Sequence, residues 1–206
     1  MPPAAWIRAR EAVRHAAHTD GTAAVEFALL LPVMITLFFG VVESSMALIC
    51  RADVSTMAST AGDLIAQANG ISTADVSNVY SAAGTILYPY YDPMQIGSAK
   101  PTIRITSVVD DGSGANNQDH LTGKVAWTCT QAGSGTLTPA SRAVNSTVTL
   151  PQPLMTDQGS ILVAEIAYSY APPTTKIITG AINFTDRYYA KPRRVAQITA
   201  PAGGCP

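Results

Sequence analysis

The sequence predicts an α+β protein, in which a long N-terminal transmembrane helix continues into an outer domain with a small antiparallel sheet packed on helices. Three observations support this fold class. A long apolar stretch lies near the N-terminus, an amphipathic helical pattern follows it, and the second half of the chain alternates apolar and polar residues between turn-forming clusters. Charged residues make up only 13% of the 206 residues, about half the usual share of a globular chain.

The apolar stretch is long enough to cross a lipid bilayer. Residues 27–42 contain no charge, and Glu26 and Glu43 bracket them. About 20 helical residues span the hydrocarbon core of a bilayer. A helix on the surface of a soluble core would carry a polar stripe, which this stretch lacks. We therefore predict a transmembrane helix over residues 22–49.

The flanking charges predict the orientation of this helix. Three arginines precede it within the first 21 residues, and after it Arg51 is the only Lys or Arg before Lys100. Positively charged flanks stay on the cytoplasmic side of a membrane. We therefore expect residues 1–21 to form a cytoplasmic leader and residues 50–206 to form a periplasmic domain. A cleaved secretory signal is the alternative, although the apolar run is long for one.

A glycine, four further residues, a glutamate and an aromatic residue lead into the apolar run, as GTAAVEF over residues 21–27. This pattern resembles the processing site of type IV prepilins. The wider stretch over residues 20–45, with AVEFAL, Pro32 and Glu43, looks like the TadE-like family, the minor pilins or pseudopilins of Tad (Flp-type) pilus systems. The segment YYAKPRR at residues 188–194 is similar, more loosely, to a Tyr-x-x-Pro-Arg segment of that family.

The resemblance implies that a prepilin peptidase of the bacterial inner membrane cuts after Gly21, which leaves Thr22 as the mature N-terminus. Glu26 then becomes the fifth residue and Phe27 the sixth, and the new ammonium group could pair with the glutamate of a neighbouring subunit. Pro32 removes a backbone hydrogen bond inside the helix and so predicts a kink.

The partners that the resemblance implies are the peptidase, other Tad pilins or pseudopilins, the inner-membrane assembly platform and the lipid bilayer. The implied role is assembly of a pilus for adhesion, with or without incorporation into the filament. An unprocessed, membrane-anchored periplasmic scaffold is the alternative interpretation.

The helical pattern continues beyond the membrane stretch. Apolar residues recur every three or four positions from Cys50 to Ala68, so we predict one helix from Thr22 to Ala68. The Asn-Gly pair that follows favours a left-handed helix end. A second helix is predicted from Ala74 to Leu87, with Ser72 or the threonine after it as cap and a Tyr-Pro pair as stop.

Three segments after residue 100 have the composition and alternation of β-strands, namely Thr102 to Val109, Lys124 to Thr130 and Ile161 to Tyr170. Thr147 to Leu150 is a candidate edge strand, because a proline follows it. The stretch from Ile177 to Phe184 fits a helix or a loop equally well.

One charged residue interrupts the last of these predicted strands. Glu165 alternates with apolar neighbours and is therefore expected to face inward. A buried carboxylate needs a partner, so we expect an ion pair with Arg104 or Arg187.

The three cysteines predict a disulfide between Cys129 and Cys205. Compartments outside the cytoplasm are oxidising and allow disulfides to form, and this bond would restrict the motion of a C-terminus rich in proline and glycine. Cys50, at the outer end of the membrane helix, is expected to stay unpaired. A reactive or metal-binding thiol is the alternative, but no Cys or His stands at ligand spacing.

Nothing in the sequence supports an enzyme, a metal site or a cofactor. His120 stands alone in a polar loop, and the Asp110-Asp111 pair in the same loop lacks the spacing of a calcium-binding EF-hand. A membrane-tethered hydrolase that uses these residues is the less favoured alternative. The 13 Lys and Arg against 14 Asp and Glu also argue against a nucleic-acid-binding protein.

Overall fold

The fold was obtained from a computed structural model, which describes most of the chain. The described residues are 4–92, 99–110, 121–151, 154, 159–172 and 177–205, and of residues 4–20 only the backbone is described.

A single helix dominates the N-terminal third. Helix α1 runs without interruption from Ala4 to Ala66, so the apolar stretch and the amphipathic stretch after it form one helix, as predicted. The helix differs from the prediction at both ends. It includes the leader, which contains several good helix formers, and it ends before the predicted Ala68, whose N–H donates to the carbonyl of Ile65 in a tighter turn (3.0 Å).

The second helix lies close to its predicted position. Helix α2 spans Thr73–Gly84, and one 3₁₀ turn from Thr85 to Leu87 completes the predicted range. Ser72 is the cap: its hydroxyl accepts the N–H of Asp75 at 3.2 Å, and the Asp75 carboxylate accepts the N–H of Ser72 at 2.8 Å. This reciprocal pair satisfies two donors that would otherwise lack partners at the helix start.

The domain contains a five-stranded antiparallel sheet, which confirms the α+β fold class. Its strands are β1 (Thr102–Val109), β2 (Thr122–Gln131), β3 (Thr147–Thr149), β4 (Ser160–Tyr170) and β5 (Ile182–Ala190). Their order across the sheet is β3-β2-β1-β4-β5, and each neighbouring pair is antiparallel. The predicted edge strand is thus β3.

Strand β5 differs from the sequence expectation, which assigned Ile177 to Phe184 as helix or loop. Residues 182–190 instead form the edge strand beside β4. Its side chains alternate between half-buried and exposed along most of its length. Because this strand has a partner on one side only, polar residues such as Thr185 and Arg187 are tolerated, and they hide the apolar alternation that would predict a strand.

The two faces of the sheet bury different clusters. Helices α1 and α2 cover one face, where Leu162 and Ile166 of β4 pack with α1. The intervening residues of β4, Ile161 and Val163, belong to a second, smaller cluster on the opposite face. The buried apolar residues of α1 recur at helical spacing, and they are Ala47, Cys50, Val54, Met57, Ala58, Ala61, Ile65 and Ala66.

Candidate membrane anchor and assembly site

The first described part of α1 projects away from the domain. Residues 21–38 are all exposed, and no part of the most apolar 18-residue window of this helix is buried. Its exposed large apolar residues are Val25, Phe27, Leu29, Leu30, Leu31, Val33, Met34, Ile35, Leu37, Phe38 and Val41. A patch of this size is typical of a membrane or partner surface. Within the described residues this is the one helix long and apolar enough to cross a membrane, which fits a single-pass anchor.

The residues of the predicted processing site lie on this exposed stretch. Gly21 and Thr22 are exposed, and outside the helix's own turns nothing lies within 4 Å of a Cβ built on Gly21. Glu26 and Phe27 follow on the next turn and are exposed as well. Glu26 makes no ion pair with any residue that the structure describes. Packing of the described chain on itself therefore explains neither the glycine nor the carboxylate.

Helix α1 continues through Pro32. Proline has no N–H, so the carbonyl one turn earlier loses its usual helical donor. The hydroxyl of Thr36 donates to the carbonyl of Pro32 at 2.8 Å and adds a hydrogen bond in the next turn. A kink at this position stays a prediction.

Glu43 marks the point where α1 meets the domain. The residue is 1% exposed. Its Oε2 accepts hydrogen bonds from the backbone N–H groups of Ile177 at 3.0 Å and Ile178 at 2.7 Å. The sequence marks Glu43 as a carboxylate at the end of the apolar run, but its partners lie 134 and 135 residues further along the chain.

Beyond Glu43, one face of α1 is buried under the domain. The hydroxyl of Tyr90 donates to the carbonyl of Met46 at 3.0 Å, and Cys50 is fully buried and unpaired. Burial, and to a lesser extent the charge of Asp53, raises the pKa of the Cys50 thiol to about 12. The thiol is therefore protonated at neutral pH and behaves as a small apolar side chain.

The C-terminal residues Tyr188 and Arg193 pack on the far end of α1. The N–H of Arg193 donates to the carbonyl of Ala66 at 2.8 Å, and its guanidinium lies 3.0 Å from Asp63. The ring of Tyr188 covers Gly62 so closely that a Cβ there would lie 2.8 Å from Cδ1. Residues 188–193 therefore pack on residues 62–66 of α1.

Three arginines surround Glu165, which is 1% exposed. Arg104 donates through Nε to Oε2 at 2.7 Å, Arg142 donates through Nη2 to Oε1 at 2.8 Å, and Arg187 lies 2.7 Å from Oε1. Both predicted partners are confirmed. Arg142 was missed, because it lies in the loop between β2 and β3, and no sequence pattern specifies where that loop folds.

The arginines control the ionisation of Glu165. Burial alone would raise the pKa of this carboxyl group. Hydrogen bonds from Arg142 and Arg104, together with their positive charges, outweigh burial and hold the pKa below its usual value. The group is therefore ionised at neutral pH and serves as a structural ion-pair centre.

The predicted disulfide between Cys129 and Cys205 is present, with a Cα–Cα distance of 5.2 Å. The residues of the hydrolase alternative are only partly described. Asp111 and His120 lie outside the described residues, and Asp110 uses its N–H in a backbone hydrogen bond to Gly159 at 3.2 Å. In the part of the chain that the structure describes, no group of three or more His, Cys, Asp or Glu is placed to hold a metal ion.

Comparison with known proteins identifies the helix. The family model described as TadE-like protein matches residues 21–63. These residues form a TadE-like segment. The resemblance predicted from residues 20–45 is thus confirmed, and the segment extends into the part of α1 that packs on the sheet. Neither the curated proteins nor the solved structures contain a significant match to the chain.

The match covers about a fifth of the chain, and over that segment the protein is similar to a family of pilin-like proteins associated with Tad pili. The matched range includes the anchor, Glu26, Pro32 and Glu43, and it ends where the Tyr188–Arg193 segment packs. The sheet lies outside the match.

Proposed function

We propose that the protein is a TadE-like minor pilin or pseudopilin of the bacterial inner membrane, and that it takes part in assembling a Tad-type pilus for adhesion. One observation carries the proposal. Within residues 21–42, a family match coincides with an exposed apolar helix and with a glycine and a glutamate that the packing of the chain does not explain.

The proposed processing step is hydrolysis of the peptide bond between Gly21 and Thr22 by a prepilin peptidase. A peptidase must reach the backbone, and a helix hides it. Glycine inside a helix is about 1 kcal/mol less favourable than alanine, and threonine is also a weak helix former. The open surroundings of Gly21 and these low propensities favour local opening of α1 at this bond.

The proposed assembly step uses the charges that processing creates. Cleavage gives Thr22 a free ammonium group four residues before Glu26. In an apolar environment an unpaired charge is costly, so the ammonium group of one subunit and the Glu26 carboxylate of a neighbour stabilise each other. The exposed apolar side chains between residues 27 and 41 then supply the surface along which neighbouring helices pack.

Mass spectrometry of the protein from its native membrane tests the processing step. We expect a mature N-terminus at Thr22, and we expect Gly21→Leu to prevent cleavage because the bulky side chain obstructs the peptidase. Gly40→Leu is the matched control, since Gly40 is also a glycine of α1 with open surroundings, and it should be cleaved normally. A wild-type chain that keeps its leader would contradict processing and favour the unprocessed scaffold.

A further inference from the structure

We propose that the loop around Ile177 and Ile178 lies in the outer head-group layer of the membrane and forms a second contact between the domain and the bilayer. Glu43, the first fully buried residue after the exposed apolar helix, holds this loop through two backbone hydrogen bonds. The inference rests on the membrane anchor of the proposed function and adds a lipid-facing surface to it.

The position of Glu43 along α1 sets the level of the loop. Residues 22–42 number 21. At a rise of about 1.5 Å per residue they extend about 32 Å, close to the thickness of about 30 Å of a bilayer's hydrocarbon core. When this stretch spans the core, Glu43 lies at the outer boundary between acyl chains and head groups.

The loop must share this level because it is bonded directly to the Glu43 side chain. The hydrogen bonds to Ile177 and Ile178 are 3.0 and 2.7 Å long, so the loop backbone cannot lie far above the boundary. The side chain of Ile177 is 46% exposed, and Ile178 is half-buried. Residues 177–185 carry no charge. Lys176 directly precedes this stretch in the sequence. An exposed isoleucine gains by contact with acyl chains at the membrane surface.

The hydrogen bonds between Glu43 and this loop also replace hydration that both the carboxylate and the loop N–H groups lose near the membrane. A carboxylate at the membrane edge is costly unless hydrogen bonds compensate for lost water. Backbone N–H groups that border the acyl chains likewise need acceptors, because the hydrocarbon core supplies none. The Oε2 atom of Glu43 accepts two consecutive N–H groups of the loop. Each partner therefore allows the other to enter the interface.

Depth-dependent fluorescence quenching tests the proposal. The full-length protein, with Cys50→Ala to remove the free thiol, is reconstituted in vesicles of phosphatidylethanolamine and phosphatidylglycerol. An environment-sensitive fluorophore is attached at Ile177→Cys. We expect nitroxides in the head-group region to quench it more strongly than nitroxides deep in the acyl chains.

Two further labelling sites serve as controls. Val144→Cys lies in the loop between β2 and β3, where Val144 is an apolar residue with 56% exposure, and its label should show no quenching by either lipid. Leu30→Cys lies in the middle of the span and should be quenched most strongly by the deep nitroxide. A Leu30 label without quenching would mean that the anchor, and with it the proposed function, is wrong.

The loop proposal fails on its own if the Leu30 label is quenched and the Ile177 label behaves like the Val144 label. It also fails if the Ile177 label becomes shielded only when a second protein is added, since the loop would then be a protein-binding surface. With Glu43→Ala, which removes the acceptor, quenching at Ile177 should be lost while quenching at Leu30 persists. Glu43→Gln keeps an acceptor oxygen and should retain both.

Discussion

Glu165 connects three separate parts of the domain through a single side chain. Its partners come from β1 (Arg104), from the loop between β2 and β3 (Arg142) and from β5 (Arg187). Breaking a buried ion pair by removing one partner leaves an uncompensated charge, which typically costs about 3–5 kcal/mol. Here three guanidinium groups would lose their shared carboxylate, so Glu165 should matter more for stability than an exposed ion pair such as Asp63 with Arg193.

The lowered pKa of Glu165 predicts that the domain loses stability in acid. This carboxylate stabilises the fold fully above its unfolded-state pKa of about 4.3, and the stabilisation is lost as pH falls through the lower pKa of the folded state. The lowered pKa of Asp75 acts in the same direction. We expect the free energy of unfolding to stay level from neutral pH to about pH 5 and to fall below about pH 4.

The variant Glu165→Gln separates the contribution of Glu165 to acid-dependent stability from that of other carboxyl groups such as Asp75. At pH 7 it should lower the free energy of unfolding by about 3 kcal/mol, and its further loss in acid should be smaller than that of the wild type. Denaturant unfolding in detergent micelles at a series of pH values measures both, with the fluorescence of buried Trp127 as the signal. Parallel pH profiles for the two proteins would show that Glu165 does not carry the acid dependence.

At the scale of elements, helix α1 and strand β5 pack closely against each other at Gly62. The Tyr188 ring of β5 lies directly over Gly62, and a Cβ at Gly62 would also lie 3.4 Å from the Cβ of Ala164. A larger residue would have to push a ring that the sheet backbone holds in place. The close packing of Tyr188 therefore requires glycine at position 62, whereas no neighbouring atom requires glycine at position 21.

Gly62→Ala should accordingly destabilise the protein. Overpacking of a core costs about 1–3 kcal/mol, and the better helix propensity of alanine returns about 1 kcal/mol, so we expect a net loss of about 1 kcal/mol. Gly70→Ala is the control, because nothing lies within 4 Å of a Cβ at that position, and its effect should be within about 0.5 kcal/mol. Thermal unfolding in micelles measures both, and a stabilised Gly62→Ala variant would contradict the packing argument.

The local sequence patterns predicted most of the helices and strands but not the contacts between them. Strand β1 has its predicted ends, and β4 begins one residue early at Ser160, because continuous apolar or alternating runs are strong signals. Strand β5 was missed because an edge strand needs only one packed face. Its aromatic residues, Phe184, Tyr188 and Tyr189, were the available signal, since aromatic side chains favour strands.

At the scale of the whole molecule, the Cys129–Cys205 bond ties the C-terminus to the sheet across 76 residues of chain. Closing a loop of this length lowers the entropy of the unfolded chain and stabilises by up to about 4 kcal/mol. Cys205→Ser should lower the free energy of unfolding by about 2–4 kcal/mol. Thiol reductant should destabilise the wild type to the same level and leave the variant unchanged. A wild type whose stability does not respond to reduction would contradict this.

The candidate site was predictable from sequence only where its signal is local. The glycine and the glutamate at residues 21 and 26 and the apolar span directly after them occupy one short window. The disulfide was predictable for a different reason, because the chain has only three cysteines to pair. The contact of Glu43 with Ile177 could not be predicted, because it joins α1 to a loop that is positioned only after the sheet has formed. Contacts at such separation depend on the complete topology rather than on any local pattern.

The continuity of α1 has a mechanical consequence. The same helix extends from the exposed apolar end, through Glu43, to the buried residues around Ile65. Because α1 is continuous, no flexible linker separates the exposed apolar segment from the domain, and the two parts cannot reorient independently. If the exposed apolar segment is a membrane anchor as proposed, a pull on the domain would act on it directly through the helix.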